Sequence, residues 1–177
     1  MTDIPALFAK WITHDLATPA ATVLTASELL GAHGDAEING LVHDGARRLV
    51  ARLRLIRAAF APGAAPIAAA ALERLIRDGI DGTPLHWAHP ADASGSEAAL
   101  VAGSVLVLTE LAKGVAVTVL PGRACWDTPP PAGVALVRAF ADTDPADGCA
   151  ALAVMVRDGG ARAGRTVTAS TAGIAWT

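Results

Sequence analysis

Tyrosine is absent from this sequence, and aromatic residues of all kinds make up only 4 % of it. A core must therefore be packed from small aliphatic side chains. Alanine supplies much of the 53 % apolar content, which favours closely packed helices. Positive charge is not in excess: 14 Lys and Arg stand against 17 Asp and Glu, a formal net charge of −3, so nothing indicates a nucleic-acid partner. Only two cysteines occur, Cys125 and Cys149, far apart. They are expected to be small buried hydrophobes rather than a disulfide. No long apolar run is present either. The longest, residues 98–108 between Glu97 and Glu110, is too short to span a membrane and fits a buried helix. After Met1 there is no basic segment followed by an apolar one, so no secretory signal is read and a cytoplasmic location is expected.

The most informative stretch is Trp11-Ile-Thr-His14-Asp15-Leu16-Ala17-Thr18-Pro19. Lys10, His14 and Thr18 recur every four residues and share one polar helical face. Ile4, Leu7, Phe8, Trp11, Leu16, Val23, Leu24 and Leu30 line the other side at mostly three- and four-residue spacings. Pro19 has no N–H for the Asp15 carbonyl, so a bend is expected beside His14. The same residues admit another reading. Thr18-Pro19 is a good helix start, with Thr as N-cap and Pro in the first turn, which would leave His14 in a preceding loop or short helix.

Along the chain, a first helix is expected over about 5–30, stopped by Gly31. The turn falls at His33-Gly34-Asp35, with Asp35 capping the next helix. Ile38, Val42, Gly45, Leu49, Arg52 or Leu53, Ile56 and Phe60 form a near-heptad stripe on the second helix, which stops at Pro62. Two such helices make a hairpin whose apolar stripes one copy cannot bury, so two copies are expected to form a four-helix bundle. The second helix also carries Arg47, Arg48, Arg52, Arg54 and Arg57 with no acid among them. That row is either a solvated basic face or an attractor for an acidic partner. Residues 62–66 read as a linker between the hairpin, 1–61, and a second domain, 67–177. In the second domain helices are expected at 68–77, 97–113, 132–141 and 145–157. Strands are expected at 84–89, 115–120 and 124–127, with a closing hairpin at 165–169 and 173–176. The fold class is α+β: a helical hairpin followed by a small α/β sandwich.

The pattern H-D-L-A-T-P at His14–Pro19 resembles the phospho-accepting box of histidine-kinase dimerisation helices. With Glu28-Leu29-Leu30, Gly45-Ala46-Arg47-Arg48-Leu49 and Ile56-Arg57-Ala58-Ala59-Phe60, the chain resembles the alphaproteobacterial histidine phosphotransferase family (ChpT-like). The likeness fades but persists to Gly164-Arg165-Thr166-Val167-Thr168 and Gly173-Ile174-Ala175-Trp176. It implies a dimeric phosphotransfer hairpin followed by a degenerate version of the histidine-kinase ATP-binding domain. It also implies that His14 accepts a phosphoryl group from receiver-domain aspartates in a two-component phosphorelay. The partner is a response-regulator or hybrid-kinase receiver that brings its own Asp and Mg²⁺, and this chain needs no cofactor of its own. Asp15 then either orients the imidazole or is simply solvated. Thr18 either bonds phosphoryl oxygens or a water, or is an ordinary pre-proline residue. Lys10, Arg48 and Arg52 are the candidate docking cations.

Rival functions leave weaker traces. An active kinase needs asparagines on a Mg²⁺-ATP helix, yet the sole asparagine, Asn39, lies in the hairpin, and Gly159-Gly160 and Gly164 are too sparse for a phosphate loop. A non-catalytic dimeric adaptor of a kinase or regulator would need the hairpin but not His14. Metal chemistry finds only His86 and His89, whose spacing puts them on opposite faces of a strand. Neither Cys125 nor Cys149 forms a recognisable nucleophile setting with His43.

Overall fold

Sustained helical periodicity at the start of the chain yields two long helices, α1 (Ile4–His33) and α2 (Ala36–Phe60). The structure is a computed structural model that describes residues 2–33 and 36–177, with the side chains of 30–33 not described. Gly31 does not stop the first helix, which runs on to His33. Gly34 and Asp35, expected to turn the chain and cap α2, lie outside the described residues. The two helices pack closely at Gly45, where a Cβ would stand 2.8 Å from a methyl of Val23, so a larger residue there would require that side chain or the helices to shift.

Five further elements follow the linker: α3 (Ala69–Gly79), β1 (Leu85–Trp87), α4 (Gly95–Leu111), β2 (Val117–Leu120) and β3 (Arg123–Trp126). The chain ends with α5 (Gly133–Ala141), α6 (Gly148–Arg162), β4 (Val167–Ser170) and β5 (Gly173–Trp176). The five strands form one sheet in the order β1-β2-β3-β5-β4. Only β1 and β2 are parallel, pairing Leu85 with Val117 and Trp87 with Val119 across the α4 crossover. The remaining pairs are antiparallel. In β2 buried and half-buried residues alternate, because one face of the sheet packs on helices.

At the centre lies α4, buried almost all round. A helix that is apolar on every side belongs in an interior, and here helices and the sheet enclose it. Ser94 caps it by accepting the Glu97 N–H at 3.2 Å. The base of the hairpin joins the same core: Trp11, Leu55, Ile56 and Ala59 cluster with Leu72, Val105 and Leu108. Phe8 stacks on Trp11 at 5.9 Å and meets Phe60 edge-on at 4.9 Å. Trp11 also rests on the start of α6, where a Cβ on Gly148 would come within 2.7 Å of it. Among the described residues no helix is long and apolar enough to cross a membrane.

Both cysteines are free and half-buried. Burial, and then the charges of Asp147 and Glu110, push the Cys149 thiol from the usual 9.0 up to about 12. The reactive thiolate at pH 8 is then depleted roughly a thousandfold. Iodoacetamide at that pH should label Cys149 far more slowly in the native protein than in denaturant, read by mass spectrometry of the derived peptide. Equal rates in the two states would contradict this placement.

Candidate functional site

The helix α1 passes through Thr18 and Pro19 without interruption, so Thr18 is not an N-cap and His14 is not in a loop. The Thr22 hydroxyl donates to the Thr18 carbonyl at 3.1 Å, inside the helix. Lys10, His14 and Thr18 are all exposed on one face, as their spacing requires. Neither His14 nor Lys10 has a hydrogen-bond or ion-pair partner among the described residues. The imidazole stands free on a helix whose other flank is held by the Phe8–Trp11 contact.

One position further round, Asp15 turns inward. Arg52 of α2 binds it with both arms of its fork: Nε donates to Oδ2 at 2.7 Å and Nη2 to Oδ1 at 3.0 Å. The same Nη2 donates to Glu110 Oε1 of α4 at 2.6 Å, and Nη1 to the carbonyl of Gly79 at the end of α3 at 3.2 Å. Beneath the guanidinium lies the Trp11 ring, 5.8 Å away, whose Nε1 donates to the other Glu110 oxygen at 3.3 Å. Arg52, Asp15 and Glu110 have side chains only 14 %, 16 % and 17 % exposed. Burial opposes the Arg52 charge, but hydrogen bonds and the field from Asp15, then Glu110, outweigh it and hold the group above the usual arginine value. Removing one partner of such a buried cluster costs about 3–5 kcal/mol, because it strands a charge.

Two sequence expectations change as a result. Arg52 is not a free docking cation, since its donors are committed inside the molecule. The Asp15 carboxylate is neither solvated nor turned to the imidazole, since Arg52 holds both of its oxygens. Arg48, by contrast, remains exposed and pairs with the equally exposed Asp81 at 3.5 Å, a contact of little energetic weight. Sequence reasoning did not bring Glu110 into this cluster. Its signal was there: a lone acid at the end of an apolar helix, in a chain with a row of arginines.

Beside this cluster a cleft of about 440 Å³ opens between the hairpin and the rest of the molecule. Thr18 and Arg48 line one side of it, Asp81 and Lys113 the other, with Asp15 and Arg52 also on its wall. The remaining candidates lie apart. His86 is exposed and pairs with Asp127 at 3.1 Å. His89 is buried, with Nδ1 3.1 Å from the Ala91 carbonyl and Nε2 3.8 Å from Glu97. Gly159 and Gly160 lie within α6. Among the described residues no group of three or more His, Cys, Asp or Glu is placed to hold a metal ion.

No protein-family model matches the sequence, and no curated protein matches it. The fold is similar to that of a solved bacterial phosphotransferase structure, with a TM-score of 0.69 and 19 % identity. The match covers 98 % of this chain and 94 % of that one. At that identity the likeness is one of fold, and it runs nearly end to end.

Proposed function

We propose that this chain is a histidine phosphotransferase of a two-component phosphorelay, carrying a phosphoryl group on His14 between the aspartates of receiver domains. The observation that carries the reading is the exposed, unpartnered His14 within H-D-L-A-T-P, on an uninterrupted helix. The resemblance of that box and its flanks to the ChpT-like family supports it, as does a fold similar to that of a phosphotransferase.

The chemistry asks little of this chain. An imidazole nitrogen attacks the phosphorus of the aspartyl phosphate in line, the P–O bond to the aspartate breaks, and the carboxylate leaves. Transfer onward is the reverse reaction at a second receiver. Catalysis of this kind rests on positioning and charge stabilisation, and the receiver supplies the Mg²⁺. An exposed imidazole on an uninterrupted helix, without a partner among the described residues, meets the remaining requirement. Thr18, one turn along, is placed to bond phosphoryl oxygens, while Lys10 and Arg48 present charge to an acidic receiver face.

Two copies complete the assembly. Leu24, Leu29, Leu41, Val50 and Leu53 of the hairpin are all exposed in the single chain. Exposed apolar side chains gathered on one hairpin fit an interface between copies, and hairpin packed on hairpin gives a four-helix bundle. As a test of function, the phosphorylated chain should discharge onto a second, unphosphorylated receiver, and its label should be acid-labile and base-stable. A chain that takes up label but only hydrolyses it would not be a relay component.

The second domain is proposed to have no nucleotide function, because α4 carries no asparagine and is buried almost all round. Titration calorimetry with Mg²⁺-ATP should show no binding. Micromolar affinity would restore the kinase reading.

A further inference from the structure

Asp15 follows the phospho-acceptor directly, yet it serves as a handle by which the body of the molecule grips α1. A single guanidinium ties together four helices: α1 through Asp15, α2 from which Arg52 projects, α3 through the Gly79 carbonyl and α4 through Glu110. We propose that Arg52 and Glu110 are positioning residues for the exchange at His14, fixing the second domain against the hairpin so that a receiver meets the histidine face and the neighbouring cleft as one preformed surface. The inference rests on the phosphotransfer reading and adds to it the residues that set the docking geometry.

Three observations carry it. The first is location. The cluster sits one residue from His14, and the cleft it walls also reaches Thr18, one turn beyond. Any tilt of α3 and α4 against α1 would therefore change the surface beside the histidine. The second is shape. Arg52 uses its planar fork for two carboxylates and a carbonyl at once, with the guanidinium over the Trp11 ring and Trp11 Nε1 holding the far Glu110 oxygen. Lysine, with a single point charge, cannot reproduce that arrangement. The third is electrostatic. One cation and two anions in a half-dry seam are a poor means of holding helices together, since apolar residues of similar volume are commonly as stabilising or better. What charged forks provide is one particular arrangement.

A preformed surface lowers the cost of association. Loosening it leaves only a fraction of molecules competent to dock, which raises the apparent dissociation constant in proportion. The imidazole itself is untouched by this, so its intrinsic reactivity should not change.

The test uses the full-length protein with Glu110→Gln, Arg52→Lys and Arg52→Gln. Each is measured for transfer from a phosphorylated receiver and for phosphorylation of His14 by phosphoramidate, a small donor that needs no docking surface. Melting temperatures identify the variants that remain folded. Glu110→Gln keeps an acceptor for Arg52 and is the variant to rely on if Arg52→Gln unfolds. The expected result is a rise of roughly tenfold in the KM for the receiver, with kcat and the phosphoramidate rate at His14 near wild type. Arg52→Lys should lie between wild type and Arg52→Gln. A folded Glu110→Gln or Arg52→Lys with wild-type KM and a lowered melting temperature would reduce the cluster to a structural contact and overturn the proposal. A wild-type chain that takes no phosphoryl from any receiver would instead overturn the reading beneath it.

Discussion

An Ile56→Glu chain should fail to fold, whereas Leu41→Glu combined with Leu53→Glu should fold and separate from its partner copy. On the heptad stripe Leu49, Leu53 and Ile56 look alike, and all three are natural candidates for a dimer seam. The structure divides them. Ile56 is buried in the chain's own core, Leu49 is half-buried, and Leu53 is 44 % exposed. An unpaired carboxylate at position 56 would face the apolar cluster shared by the hairpin and α4, at a cost of several (~3–5) kcal/mol. That approaches the entire stability of an ordinary domain, about 5–15 kcal/mol. At positions 41 and 53 the new charges meet water in the single chain and would be buried only in the proposed bundle. Circular dichroism should therefore show helical content lost in the first variant and kept in the second. Sedimentation should report a monomer for the second and a dimer for wild type. A well-folded, monomeric Ile56→Glu would mean that this residue serves the dimer and not the core. A monomeric wild-type chain at micromolar concentration would remove the bundle itself.

The same contrast marks what a linear reading can reach. The two long helices were legible because their apolar periodicity persists over many turns, and α4 because one apolar run lies between Glu97 and Glu110. Strand ends were less so, because they are set by partners. Residues 84–89 read as one strand, but the strand proper is Leu85–Trp87, with Pro84 and Ala88 each adding one backbone hydrogen bond to β2. The helix read at 145–157 begins three residues later, where Asp147 accepts the Ala150 N–H at 2.8 Å. It then runs past Gly159 and Gly160 to Arg162, since packing against β4 overrides their weak helix propensity. At the site, the free face of Lys10, His14 and Thr18 follows from spacing alone. The inward turn of Asp15 does not. It depends on Arg52, 37 residues away, and on Glu110, another 58 beyond, and no local pattern joins these positions. Arg48 and Arg52 therefore read alike as docking candidates among the five arginines, although Arg52 is an internal clamp.

Replacing His14 with alanine should abolish phosphoryl acceptance while leaving the fold intact. The side chain is exposed and without partners among the described residues, and alanine favours helix. The melting temperature should move little, within the range of an ordinary surface substitution of about 0.5 kcal/mol. Neither Asp15, His86 nor His89 is placed to stand in. Arg52 holds Asp15, while His86 lies on the sheet paired with Asp127 and His89 is buried. The loss should thus be complete and not a partial fall in rate, measured as label passing from a phosphorylated receiver.

The most direct measurement is made on the wild-type chain. It is mixed with a panel of labelled, phosphorylated receiver domains from its own organism and quenched within seconds, and the phosphoryl group is localised by mass spectrometry under neutral conditions. The account expects at least one receiver to lose its label rapidly to a single site on this chain, His14. Label appearing on another residue, or remaining on every receiver of the panel, would contradict it.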